Sequence, residues 1–131
     1  MGRILIVDDE EMDRVMEFSV LEDAGHEILF AADGQTALAL WKEKSIDLVI
    51  TDLVMPELNG LRLIKAIKEL DPSARIIAIS GLAPEQLDLA EDYGALRTLT
   101  KPFPREAMLK AVAEVLAQAP RRGGDAWGRT R

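Results

Sequence analysis

The sequence predicts an α/β fold, an open parallel sheet with helices on both faces. Three observations carry that reading. Short β-rich runs alternate with helical stretches five times along 131 residues, a (βα)5 arrangement. The apolar runs are continuous rather than alternating, as strands covered on both faces require. The length suits one domain, at ~100–200 residues per domain.

Ile4–Val7 is the first strand. Glu11–Ala24 reads as a helix from its acidic start and from Gly25 as a C-terminal stop. Its apolar residues, Met12, Val15, Met16, Phe18, Val20 and Leu21, form no single stripe. Glu27–Ala31, with Ile28, Leu29 and Phe30, is the second strand. Gln35–Lys44 is a helix placing Ala37, Leu40 and Trp41 on one face. Ile46–Thr51 is the third strand, and Leu61–Leu70 a helix grouping Leu63, Ile64, Ile67 and Leu70. Ala74–Ser80 is the fourth strand. Pro84–Tyr93 follows as a helix, with Pro84 in its first turn and Gly94 at its end. There Tyr93 reads as a packing residue. Ala95–Thr100 is the fifth strand. The last helix, Arg105–Ala117, groups Met108, Ala111, Val112, Val115 and Leu116. Crossovers should be right-handed.

Sixteen basic against 23 acidic side chains give a net charge of −7, which disfavours a nucleic-acid clamp or a binder of anionic membranes. The absence of cysteine excludes disulfides, zinc-thiolate sites and cysteine nucleophiles. No apolar run approaches the ~18 residues of a membrane span, and the first residues lack a signal-peptide layout, so a cytoplasmic protein is expected. Residues 121–131 hold four arginines against Asp125, a local +3 that leaves −10 on residues 1–120. With Gly123, Gly124 and Gly128 and no apolar periodicity, 120–131 reads as a disordered basic tail after a domain of residues 1–119. His26, the sole histidine, lies between the first helix and second strand, away from the acids, and reads as an exposed loop residue.

In open α/β sheets ligands bind beyond the carboxyl ends of the strands. Asp8 and Asp9 follow the first strand, Asp52 the third and Lys101 the fifth, while Ser80 closes the fourth. Glu10, Glu11 and Asp13 crowd beside the first pair. Four separate connections thus deliver three carboxylates, a hydroxyl and an ammonium to one edge. Three adjacent carboxylates resist ionising together, and a divalent cation relieves them. Hard oxygen donors suit Mg²⁺, leaving Lys101 and Ser80 for phosphoryl oxygens and one carboxylate as nucleophile.

These stretches resemble a known family. ILIVDDEE at 4–11, DLVITDLVMPELNG at 47–60, Ser80–Gly81 and LTKPF at 99–103 are similar to the receiver domains of two-component response regulators, the chemotaxis-regulator-like group. The resemblance covers nearly all of 3–117. It implies a flavodoxin-like sheet of strand order 2-1-3-4-5. It implies that Asp52 accepts a phosphoryl group from a histidine of a sensor kinase or phosphotransfer protein. Asp8, Asp9, Asp52 and the backbone carbonyl of Val54 would hold Mg²⁺. Lys101 would pair with a phosphoryl oxygen, Ser80 would be the switch hydroxyl, and Lys101–Pro102 would be a cis peptide. The family's swinging aromatic is replaced by Thr98, which has no ring. Asp13, Met16, Pro102 and Phe103 match the kinase-docking region. The face of the fourth helix, fifth strand and fifth helix would meet a downstream protein or a second copy. A second reading is a degenerate receiver used as a phosphorylation-independent interaction module, favoured by Thr98 and disfavoured by the intact acid, serine and lysine set. A small Mg²⁺-dependent phosphatase would need an Asp-x-Asp pattern after the first strand, which Asp8–Asp9 lacks. No glycine-rich phosphate loop supports nucleotide binding.

Overall fold

The computed structural model describes residues 2–53, 59–81 and 84–118. Val54, the expected domain boundary at 119 and the basic tail lie outside the described residues. The elements run β1 (Arg3–Val7), α1 (Glu11–Asp23), β2 (Glu27–Ala31), α2 (Gly34–Glu43), β3 (Leu48–Asp52), α3 (Gly60–Leu70), β4 (Ile76–Ser80), α4 (Pro84–Asp92), β5 (Arg97–Thr100) and α5 (Arg105–Ala117). All neighbouring strands pair in parallel, in the order β2-β1-β3-β4-β5.

Strand burial follows position in that order. β3 and β4 are buried along their whole length, and β1 from Ile4 onward, whereas the edge strands β2 and β5 are largely half-exposed. The uninterrupted apolar runs belong to the central strands because helices cover both of their faces. Successive side chains point to opposite faces, so each strand feeds two cores. Leu5, Val7, Val49, Ile76 and Ala78 pack with Ala37 of α2, Leu63, Ile64 and Ile67 of α3, and Ala90 of α4. Ile4, Ile6, Leu48, Ile50, Ile77 and Ile79 pack with Val20 and Leu21 of α1 and with Met108, Ala111, Val112 and Val115 of α5. The chain passes outward from β1 to β2, then returns across β1 to β3. Crossovers of one hand therefore put α1 and α5 on one face and the other helices opposite, and leave a crevice where the order reverses.

Local chemistry sets the boundaries. Asp33 accepts a hydrogen bond from Thr36 N (2.7 Å) and Asn59 from Arg62 N (3.0 Å), capping α2 and α3. Gly25 and Gly94 take positive φ, 92° and 119°, just past α1 and α4. Three strands start two residues later than the apolar runs. Ala74 N donates instead to Asp71 O (3.0 Å) and Ala95 N to Ala90 O (2.9 Å), both in turns, and Asp47 stands before β3 with its carboxylate on Arg3 N (2.8 Å). Two packing expectations fail: Leu70, the last residue of α3, and Tyr93, just past the end of α4, are exposed, Tyr93 by 42%. His26 is half-buried rather than exposed, its Nδ1 accepting from Gly2 N at 3.2 Å, and it lies between α1 and β2 as expected.

Candidate functional site

The carboxyl ends of β1, β3 and β4 deliver Asp8, Asp52 and Ser80, and the residue following β5 delivers Lys101. Asp8 and Ser80 are each 1% exposed and Asp52 is 8% exposed, while Asp9 is open to solvent. Lys101 Nζ donates to Asp13 Oδ2 (2.7 Å), Asp52 Oδ2 (2.9 Å) and Asp8 Oδ2 (3.0 Å). Lys101 N also donates to Ser80 O (3.0 Å), which extends the sheet to the lysine, and the Lys101–Pro102 peptide is cis. Residues separated by 49 to 93 positions thus meet at one ammonium.

Burial pushes the Asp8 carboxyl above its usual range, and the Glu10 N–H on Asp8 Oδ1 (2.9 Å) and the Lys101 ammonium offset only part of that. Lys101 is desolvated too, but its hydrogen bonds to Asp13, Asp52 and Asp8 win and hold its pKa well above the lysine range. It stays charged. One carboxylate oxygen from each of Asp8, Asp9 and Asp52 lies within 4.8 Å of the others, so these three could hold a hard divalent cation. Val54, named as the fourth ligand, lies outside the described residues. Thr98 lies in β5 opposite Ala78, two register positions before the Ser80–Thr100 pair. Leu99 packs toward α1 and α5, so Thr98 belongs to the opposite face.

The residues named for docking are separated in burial. Met16 is exposed, together with Met12 (82%) and Val15; Pro102 is exposed; Phe103 is partly buried against the core of α1 and α5. Asp13 points to Lys101 as well as to the surface.

Two residues escaped the sequence reading. Glu17 is 1% exposed, its Oε2 has no hydrogen-bond partner, and burial followed by the charge of Asp8 raises its pKa to about 8. The spacing 13, 17, 20, 21 places it on α1's inner face, but a carboxylate carries no apolar signal of burial. Arg14 donates to Asp8 O (2.7 Å) and ties α1 to the end of β1. Gly60 also has a reason beyond its motif. A Cβ there would collide with Asp52 O and meet Leu53 Cα at 2.7 Å, and Gly60 N donates to Leu53 O at 3.1 Å. The start of α3 rests directly on the backbone of the Asp52 strand end.

A family model described as "Response regulator receiver domain" matches residues 4–113. The chain is 38% identical over 116 residues to the chemotaxis protein CheY of Bacillus subtilis, covering 87% of this chain and 97% of that one. It is 36% identical over 120 residues to protein PilH of Pseudomonas aeruginosa, covering 89% and 99%. The response regulator TrrA of Thermotoga maritima, solved in complex with Mg²⁺-BeF, superposes with a TM-score of 0.82 at 31% identity, covering 88% and 99%. The family model and these relatives each span most of this chain, and the relatives are matched over nearly all of their own length, so this chain belongs to the CheY-like response regulator receiver domains.

Proposed function

We propose that the chain is a phosphorylation switch that accepts a phosphoryl group on Asp52 from a phosphohistidine of a sensor histidine kinase or histidine phosphotransfer protein. Receiver domains are signalling domains of two-component systems rather than classical enzymes, and they interact with such kinases and with downstream targets. The observation that carries the reading is the Lys101 ammonium held 2.9 Å from Asp52 Oδ2 and 3.0 Å from Asp8 Oδ2.

Asp8, Asp9 and Asp52 fit Mg²⁺ by donor type, by spacing and by the raised pKa of buried Asp8, which marks a carboxylate short of countercharge. Bound there, Mg²⁺ would neutralise carboxylate charge and orient phosphate oxygens. A carboxylate oxygen of Asp52 attacks phosphorus in line, a P–O bond forms, and the P–N bond breaks with its electron pair returning to the histidine nitrogen. Lys101 meets the charge on the transferred oxygens without taking part in proton transfer, since its raised pKa keeps it an ammonium. Ser80, at the end of the adjacent strand, supplies a hydroxyl that turns to the acyl phosphate. Thr98 has no ring to swing, so in this reading the switch relies on Ser80 and the start of α4. The α4–β5–α5 face is the surface for a downstream protein or a second copy. Asp13, Met16, Pro102 and Phe103 face the donor. Among the described residues no helix is long and apolar enough to cross a membrane. A phosphorylation-independent module has only Thr98 in its favour.

The test is intact mass after incubation with acetyl phosphate. We expect one phosphoryl adduct that requires Mg²⁺ and is absent from Asp52→Asn. An adduct that persists in that variant would place the acceptor elsewhere.

A further inference from the structure

An ammonium has three N–H donors. In Lys101 all three are engaged, by Asp8, Asp13 and Asp52, and the Asp13 bond is the shortest of them. Asp8 and Asp52 belong to the convergent acid set; Asp13 does not. It comes from the first turn of α1, where an acidic side chain would ordinarily answer the helix's own unpaired N–H groups. Here it reaches across to the residue after β5 instead.

The balance of charge around Lys101 makes this third partner consequential. A phosphoryl group arriving at Asp52 brings oxygens that need the same ammonium, and they must displace a carboxylate from it. Once phosphorylated, the Asp52 carboxyl is an acyl phosphate and has no carboxylate charge of its own to compete. Asp8 has an alternative countercharge in the proposed cation. For Asp13 the neighbour one turn along α1, Glu17, is an acid, and among the described residues Lys101 is the cation it pairs with. Asp13 therefore keeps its claim on Lys101 and adds a negative charge beside the incoming dianion.

We propose that Asp13 is a positioning residue that acts through Lys101 as a brake on phosphoryl loading, holding the ammonium in a three-carboxylate clasp that must open before it can follow a phosphoryl oxygen. This inference rests on the reading of Asp52 as acceptor. Asp13 also sits among Met12, Val15 and Met16, which are exposed on the same helix, so a donor protein seated on α1 would touch the brake, whereas a small free donor would not.

The test compares the rate of Mg²⁺-dependent phosphorylation by acetyl phosphate, at saturating Mg²⁺, in the wild type and in Asp13→Ala, Asp13→Asn and Asp13→Glu. Asp13 is partly exposed, so folding should survive each change. For a partly exposed ion pair the expected gain is about three- to five-fold in Asp13→Ala, smaller in Asp13→Asn, and none in Asp13→Glu, which restores the charge. The Lys101 side-chain order parameter from ¹³Cε relaxation should fall in Asp13→Ala and stay unchanged in Glu11→Gln, which alters an exposed acid of the same first turn. An Asp52 adduct forming at the wild-type rate or slower in Asp13→Ala would overturn the inference and leave the reading of Asp52 standing. No adduct in any variant would overturn both.

Discussion

Glu17 is the residue whose environment contradicts its chemistry most sharply. It is a carboxylate on the inner face of α1, with one oxygen unpartnered and Asp8, Asp13 and Asp52 adding negative charge nearby. Its pKa rises from 4.5 to about 8. The folded protein therefore keeps a proton that the unfolded chain releases above pH 4.5. Glu17 then imposes no penalty below that pH, and an increasing one as pH rises toward 8, up to ~1.4 kcal/mol per pH unit. Lys101, also facing Glu17, moderates the shift. We predict that Glu17→Leu raises stability near pH 8 by a few kcal/mol, and by much less near pH 5, where the native residue is already neutral. Urea denaturation at both pH values measures this; equal gains at both would show that packing, not the proton, accounts for the change. The clasp on Lys101 is the opposite case, three carboxylates satisfied by one cation at 2.7–3.0 Å.

At the scale of elements, the site depends on where strands stop and helices start. Asp52 ends β3, and α3 begins at Gly60 against the backbone of Asp52 and Leu53. Neither carbonyl nor Cα can move aside as a flexible side chain could. Gly60→Ala should therefore lower stability by ~2–3 kcal/mol, in the range of overpacked buried sites, and should also slow any phosphorylation by shifting Asp52. Gly94→Ala differs in kind: it forces a side chain into φ +119° and onto the aliphatic part of Lys68, far from the acids. We expect it to cost about 1–2 kcal/mol and to leave the site's reactivity unchanged. Thermal denaturation beside acetyl phosphate labelling separates the two. Equal labelling of both glycine variants would mean that α3 does not position Asp52. α1 is the other informative element. It gives the core only Val20 and Leu21, leaves Met12, Val15 and Met16 outside, and commits Asp13 and Arg14 to the site.

For the whole molecule, the sheet is a platform with two apolar faces and one charged edge. The central strands are insulated by helices, so the acids at their ends have poorly solvated surroundings, and Asp8 and Ser80 are nearly closed off from water. Such an edge is a destabilising feature that a cation should relieve. We predict that Mg²⁺ raises stability by a mass-action increment, about 2.7 kcal/mol at one hundred times Kd, and Tm with it, that EDTA reverses the rise, and that Asp9→Asn reduces it. Asp9 is the exposed member of the set, so its replacement tests the site without a folding defect. A Tm indifferent to millimolar Mg²⁺ would count against the three acids as a cation site.

The strand and helix order was legible in the sequence because both-face burial leaves continuous apolar runs and because Gly25 and Gly94 stop helices where positive φ is needed. Asp8, Asp9, Asp52, Ser80 and Lys101 were legible as a group because a parallel α/β sheet sends every strand's carboxyl end to one edge. What a linear pattern left open were facts of mutual placement: that Glu17 is enclosed, that Asp13 bonds to Lys101, that Met16, Leu70 and Tyr93 face solvent, and that Gly60 abuts Asp52. Periodicity gives the direction of a side chain around its own helix. Only the docking of α1 and α3 against strands distant in sequence decides what each side chain meets, because burial and charge act through space rather than along the chain.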